Sequence, residues 1–170
     1  MKPLKSRRSL HEEYLSLVDD ARDKLFRAAL AILGNEADAA DAVSEAVCRG
    51  YKAYPSLKQK EFGVTWLTRI LINHSNDVLK KRSRIIYMEN PLASEILQAC
   101  DPDTLGSMTF QEMIQSLPEE QRSIIVLRFI NDYSLADIAG ILELPLGTVK
   151  TRLYGGLKTL RVELQEVENE

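Results

Sequence analysis

Apolar residues recur along this chain at spacings of three and four almost throughout, and the alternation expected of half-buried strands is nearly absent. The pattern predicts an all-α protein. Ser9 with Glu12 reads as a capping box opening a first helix that ends at Gly34-Asn35. Asn35 can in turn cap a second helix running to about Ala53, after which Pro55 to Gly63 form a loop. A third helix is expected from about Val64 through Lys81. Between Ser83 and about Thr109 the periodicity breaks, with Pro91, Pro102, Gly106, several serines and four acids against a single base, the composition of a linker. Helices resume near Phe110, restart at Leu117-Pro118-Glu119-Glu120, where proline suits the first helical position, restart again at Ser134 and last at Thr148. The organisation expected is two small helical domains, residues 9–83 and 108–166, joined by a flexible linker over 84–107, with no internal repeat.

The last two helices carry the most specific local pattern. On the first, Leu135, Ile138, Ala139 and Leu142 fall at i, i+3, i+4 and i+7, Ser134 with Asp137 resembles a cap, and Pro145 and Gly147 are expected to end the helix and force a tight turn. On the second, Val149, Leu153, Leu157 and Leu160 fall within an arc of about 80° that faces the core. Lys150, Thr151, Tyr154, Lys158 and Arg161 occupy a neighbouring arc of about 100°. This reads as a helix-turn-helix, winged-helix-like, whose outer face offers a hydroxyl, an aromatic ring and bases to a major groove. An ordinary amphipathic surface helix is the plainer alternative, and it would not need the short Pro/Gly turn. Gly155 and Gly156 stand mid-helix, where each costs about 1 kcal/mol relative to alanine. Either the backbone closely approaches DNA or the preceding helix there, or packing simply tolerates them.

Composition narrows the function classes. No stretch of the 170 residues approaches the run of about 20 apolar residues that a membrane span needs, and the basic amino terminus lacks the apolar run of a signal peptide. The cytoplasm is the expected compartment. Cys48 and Cys100 are far apart, and His11 and His74 are lone residues, so neither a zinc site nor a disulfide framework is expected, and no cofactor. The net charge of −3 does not by itself imply a nucleic-acid binder, but charge is segregated in blocks of one sign. Lys2, Lys5, Arg7 and Arg8 open the chain; Glu36, Asp38, Asp41 and Glu45 fall in a stretch without bases between Arg27 and Arg49. Lys80, Lys81, Arg82 and Arg84 reverse the sign, as do Lys150, Arg152, Lys158 and Arg161, before Glu163, Glu166, Glu168 and Glu170 close it.

Two further constellations lie in the first half. On the second helix Val43, Ala46, Val47 and Tyr51 define an apolar side, whereas Asp38, Asp41 and Glu45 fall within about 60° on the opposite side. Three like charges so close would be relieved by a basic partner surface, and a merely solvated face is the alternative. On the third helix Trp66, Ile70, Asn73, Asp77, Lys81 and Arg84 form one stripe, with Leu67, Leu71 and Val78 beside it for the core. An aromatic above a basic patch suits opened DNA, since bases stack on rings while phosphates meet Lys and Arg. Trp66 as a plain core anchor is the competing reading.

At these residues the chain resembles the bacterial sigma factors of the extracytoplasmic-function group, over nearly its whole length. The run from Glu36 to Val47 followed by Tyr51 is similar to that family's acidic helix, which docks on the clamp of RNA polymerase, and Trp66-Leu67 through Lys80-Lys81-Arg82 to its promoter-opening helix. Leu117 to Arg122 with Leu127-Arg128, and Leu144 to Tyr154, resemble its carboxy-terminal domain. The resemblance implies two DNA-binding domains, the first reading the minus-ten element and the second the minus-thirty-five element, with a linker threading polymerase near its active centre. It further implies that Asp38, Asp41 and Glu45 face polymerase, that Pro55 to Gly63 capture a flipped minus-ten base, and that Trp66, Asn73, Lys80, Lys81 and Arg84 meet the opened strand. Lys150, Thr151, Arg152, Tyr154 and Lys158 would then face the minus-thirty-five duplex, with Thr148 offering its amide to a phosphate at the helix start. Ser44 stands where the family usually has glutamine, and Gly155 where arginine is common.

No paired-carboxylate, Ser/His/Asp or phosphate-loop pattern is present, so the chain is not expected to be an enzyme or to take a small-molecule substrate. The expected partners are core RNA polymerase, promoter DNA and an anti-sigma protein, often membrane-anchored in that family. Two other readings are open: an autonomous helix-turn-helix regulator whose first half dimerises, and an interaction protein that sequesters a regulator through its acidic face. The charge of Met1 to Arg8 suits a mobile arm near nucleic acid.

Overall fold

The computed structural model describes residues 7–89 and 109–168, so residues 1–6 of the expected arm and most of the expected linker lie outside the described residues, whereas Arg7 and Arg8 belong to the first helix. Three helices form the first half: α1 (Arg7–Leu33), α2 (Glu36–Ala53) and α3 (Gly63–Glu89). The second half contains α4 (Phe110–Ser116), α5 (Glu119–Ile125) continued by a π-turn (Val126–Ile130), α6 (Leu135–Leu142) and α7 (Leu146–Glu168). No strand occurs among the described residues.

Local chemistry explains most boundaries. Gly34 ends α1 with φ +85, a conformation open to a residue without a Cβ, and its N–H bonds back to the Leu30 carbonyl at 2.9 Å. Asn35 then caps α2, its Oδ1 accepting from the Asp38 N–H at 2.9 Å. Thr109 with Glu112 and Ser134 with Asp137 form reciprocal capping boxes at the starts of α4 and α6. Four expectations are corrected. Ser9 lies inside α1, which begins at Arg7, and the Glu12 carboxylate accepts from Arg8 at 3.3 Å instead of closing a box. The third helix runs to Glu89, because the Ser83 hydroxyl bonds to the Leu79 carbonyl at 3.1 Å within it rather than breaking it. Pro118 is the cap of α5, one position before its first helical residue. The turn between α6 and α7 rests on Glu143 in the left-handed conformation, φ 54, while Gly147 is already helical, as is Thr148.

Helix α2 packs through a seam of small residues, Ala39, Ala42, Ala46 and Gly50, all buried. This seam, and not Tyr51, is the buried edge of the helix; Tyr51 is 50% exposed and leans on the rings of His11 and Tyr14. Small side chains let α1 and α3 approach closely. A Cβ on Gly50 would collide with the Tyr14 hydroxyl and meet a Leu67 methyl at 2.8 Å. That hydroxyl donates to the Val47 carbonyl at 2.7 Å, and burial pushes the Tyr14 pKa up to about 12.

The two halves share one apolar core. Leu25, Ile32, Leu67 and Ile72 of the first half and Ile114, Leu117, Ile124 and Ile138 of the second belong to a continuous buried cluster. Gly50→Ala is expected to destabilise the chain by about 1–3 kcal/mol, because the new methyl is driven against Tyr14 and Leu67 with no room to relax. Tyr14→Phe, which removes only the hydrogen bond, should cost about 1 kcal/mol. Urea denaturation of the two variants beside the wild type checks both.

Candidate nucleic-acid interface and docking face

Helix α7 turns its apolar arc inward as expected: Val149 and Leu153 are buried, and Leu157 and Leu160 half-buried. Lys150, Thr151, Tyr154, Lys158 and Arg161 are exposed, and Tyr154 is 66% exposed with no hydrogen-bond or ring partner among the described residues. An aromatic so exposed beside unpaired bases is poorly explained by packing and well explained by a partner surface. The Thr151 hydroxyl donates to the Gly147 carbonyl at 3.0 Å and keeps lone pairs for accepting. The first bond of the helix runs from the Val149 N–H to the Pro145 carbonyl at 3.1 Å, so the Thr148 N–H lies in the opening turn, as an anion-binding amide requires. Arg152 falls on the other flank of the core arc, where it pairs with Glu120 of α5 at 2.7 Å. Such a pair, with Glu120 largely exposed, is worth about 1 kcal/mol or less and restrains Arg152 only weakly.

The two mid-helix glycines of α7 face α5. A Cβ on Gly156 would meet Ile125 at 3.2 Å and Gln121 at 3.3 Å, and one on Gly155 would meet the end of the Gln121 side chain at 3.1 Å. Close approach to a preceding helix is therefore what the glycines permit.

The stripe on α3 divides along its length. Trp66 and Ile70 are half-buried against the core, whereas Asn73, Asp77, Lys81 and Arg84 are exposed. Trp66 thus serves both as a wall of the core and as an accessible ring, 6.4 Å from the ring of Tyr54. The loop before α3 is built of two short 3-10 turns, Tyr54–Ser56 and Lys60–Phe62. Lys60 fastens it by sitting over the Tyr54 ring at 4.6 Å and pairing with Glu13 of α1 at 2.8 Å. Lys80, at the basic end, pairs with Glu119 of α5 at 3.3 Å.

On α2, Asp38, Asp41 and Glu45 lie on one face, and the chain relieves part of their repulsion internally. Asp38 is hydrogen-bonded by Arg82 of α3 and by Asn35, which together hold its carboxyl below the ordinary range. Glu45 is paired with Arg49 at 2.6 Å, which lowers its pKa in the same way. Asp41 is exposed and makes no ion pair among the described residues. His74, half-buried nearby, has its pKa lowered mainly by burial and next by Arg49.

A second face of α3 went unread in the sequence. Thr68, Arg69, Asn76 and Lys80 all contact the second half: the Thr68 and Tyr133 hydroxyls are 3.0 Å apart, Arg69 donates to Glu143 at 2.7 Å, and Ser123 donates to Asn76 at 3.2 Å. Buried Thr68 and Ser75 on an otherwise apolar side were the available signal.

Two outcomes follow from this geometry. Gly155→Ala should be neutral or stabilising by up to about 1 kcal/mol, since only a flexible glutamine end must move and helix propensity improves, whereas Gly156→Val should lower the melting temperature by wedging α7 off α5. The Asp38–Arg82 pair contributes stability fully above the ordinary carboxylate pKa of 3.8 and loses it as pH falls through the depressed native value. Asp38→Asn should therefore flatten the acid limb of a stability–pH profile while leaving a difference from wild type near neutrality.

Comparison with known proteins places this arrangement. Residues 17–85 match the family described as Sigma-70 region 2, and residues 107–160 that described as Sigma-70, region 4. The chain is 32% identical to the ECF RNA polymerase sigma factor SigW of Bacillus subtilis, over 92% of this chain and 91% of that protein. Two solved structures share the fold. The sigma factor RpoE of Bartonella quintana, in complex with the anti-sigma factor NepR, aligns with a TM-score of 0.65 at 21% identity, covering 91% of this chain and 96% of that one. CnrH, in complex with the cytosolic domain of CnrY, aligns with a TM-score of 0.68 at 21% identity, covering 94% and 90%. With a region 2 unit ahead of a region 4 helix-turn-helix and kinship along nearly the full length, the chain belongs to the extracytoplasmic-function sigma factors of RNA polymerase.

Proposed function

We propose that this chain binds core RNA polymerase through the acidic face of α2 and directs it to two-part promoters, without catalysis of its own. The observation that carries the reading is the separation of faces on one folded chain, with Asp41 exposed on α2 and Lys150, Thr151, Tyr154 and Lys158 exposed on α7. An acidic docking face and a basic groove-reading face on different helices suit a protein that bridges two partners. Residues 9–83 serve polymerase docking and the minus-ten element, with Trp66, Asn73, Lys80 and Lys81 toward the opened strand and Arg84, the next residue of the same helix, beside them; 84–107 link the halves; 108–166 serve the minus-thirty-five element. With a net charge of −3 the chain gains little nonspecific affinity for DNA on its own, so polymerase supplies the geometry that brings both basic faces onto the promoter. The cytoplasm is where this takes place; no helix among the described residues is long and apolar enough to cross a membrane. One relative in fold was solved with an anti-sigma factor, NepR, and another with the cytosolic domain of CnrY, and we assign this chain an anti-sigma partner, as part of a stress or envelope response.

Run-off transcription with purified core polymerase on a library of promoter-sized duplexes tests the reading. Wild type should initiate at a two-part motif. Asp41→Ala/Glu45→Ala should lose initiation through weakened core binding, and Lys150→Ala/Tyr154→Ala should keep core binding but lose the upstream element, by about tenfold or more for each base contact removed. Duplex binding that persists without polymerase, with no initiation, would instead identify an autonomous helix-turn-helix regulator.

A further inference from the structure

We infer that Glu13 of α1, by holding Lys60, sets the conformation in which the loop before α3 reads the minus-ten element, and so governs which base the loop accepts without touching DNA. That role rests on the promoter-reading function proposed above, for which Glu13 is a positioning residue.

The loop has little backbone structure of its own. Its two 3-10 turns are closed by the Leu57 N–H, which donates to the Tyr54 carbonyl at 3.1 Å, and the Phe62 N–H, which donates to that of Gln59 at 3.3 Å. Leu57, Lys58 and Gln59 join the turns outside any helix. These joining residues, together with Phe62, line a cleft of about 490 Å³ that Trp66 also lines. They are the loop side chains placed to meet an unpaired base. Two turn hydrogen bonds leave such a segment many conformations of similar free energy, so what selects one must come from elsewhere in the fold.

Helix α1 supplies the selection. Glu13 and Leu17 stand one helical turn apart on the same face and meet the second turn and its exit. The Lys60 ammonium donates to the Glu13 carboxylate at 2.8 Å, each side chain 30% exposed. Gly63, the first residue of α3, approaches Leu17 so closely that a Cβ there would meet the leucine methyls at 2.9 Å. The same ammonium lies 4.6 Å from the centre of the buried Tyr54 ring, which in turn packs 6.4 Å from the ring of Trp66. Lys60 therefore ties its own turn to the first turn through Tyr54 and to α1 through Glu13, 47 positions away. A lysine in a DNA-reading loop would ordinarily offer its charge to a phosphate. Here a carboxylate and a ring hold it, while Lys58 of the same loop stays exposed. A recognition site works only when its groups are held to within about 0.5 Å, so releasing Lys60 costs selectivity first.

Run-off transcription with core polymerase on a randomised library of promoter-sized duplexes yields a base preference at every promoter position. It is to be measured for wild type, Glu13→Gln, Lys60→Met, Glu13→Gln/Lys60→Met and Lys60→Arg. Glu13→Gln should lower the preference at a minus-ten position by about tenfold, the scale of one good base contact, with upstream preferences and affinity for core polymerase within about twofold of wild type. Lys60→Met should do the same, and the double variant no worse than either, because both act through one contact. Lys60→Arg, which still meets a carboxylate and a ring, should keep the preference. Limited trypsin digestion of the free protein reads the loop without polymerase or DNA. Glu13→Gln leaves every trypsin site in place, and cleavage after Lys58 should quicken by about threefold or more. Unchanged preference in Glu13→Gln overturns the inference. So does a uniform weakening across the library in Lys60→Met with no change in Glu13→Gln, which would make Lys60 a phosphate contact. A wild type that initiates at no two-part motif, with cleavage still quickened in Glu13→Gln, would refute the promoter role and the specificity role with it, leaving only a fastened loop.

Discussion

Helix α1 ends with carbonyls that its own chain segment cannot satisfy, at a place where the second half of the molecule buries them. An unmade hydrogen bond at a buried carbonyl costs about 1–3 kcal/mol, and two such groups, at Ala31 and Ile32, are answered by Gln111, Gln115 and Arg122, while Leu30, already bonded by Gly34, takes a second bond from Gln111. The apolar residues that drive the burial, among them Ile114, Leu117 and Ile124, are interleaved with these polar ones on α4 and α5. Packing and capping are thus one event. Arg122 shows how tightly the junction is drawn: burial pushes its pKa down, and its guanidinium is held by the carbonyls of Gln115 and Leu117 as well as Ile32.

Charge is arranged around this junction with the same economy. Several ion pairs cross between elements, Lys60 with Glu13, Arg82 with Asp38, Lys80 with Glu119 and Arg152 with Glu120, and the last three each draw a base from a block that would otherwise repel itself. The α7 groove-reading face and Asp41 stay outside the network. A weakly negative chain can therefore present a usable basic surface, because its surplus acids lie on a different helix from its unpaired bases. Partly exposed pairs such as Lys80 with Glu119 exchange at little free-energy cost for a phosphate, so they align these side chains without withdrawing them from nucleic acid.

Residues differ in how plainly they announce their place. The capping boxes of α6 and the Asn35 cap were legible because a cap satisfies an amide three residues away, within the reach of local sequence. The inward arc of α7 was legible for the same reason, since Val149, Leu153, Leu157 and Leu160 report their face through spacing alone. Tyr51 misled because hydropathy does not reveal that the neighbouring seam is built of alanines and Gly50, which bring helices so close that a tyrosine is displaced to the rim. Ser9 misled because a serine fits both a cap and a helix interior, and the choice depends on Arg8 taking Glu12.

The sequence by itself determined the all-helical class, the two-part order, the helix-turn-helix, the segregation of charge and the family resemblance, all of which depend on neighbours within a turn or two of helix. Only the tertiary structure decided that Gly155 and Gly156 serve the approach of α7 to α5, that Arg82 reaches Asp38 across 44 positions, and that Gln111 and Gln115 cap a helix some 80 residues away. Such contacts leave no periodic trace, because a glutamine that caps a distant helix and one that faces water have the same neighbours in sequence. What distinguishes them is the shared apolar core that carries α4 and α5 onto the end of α1.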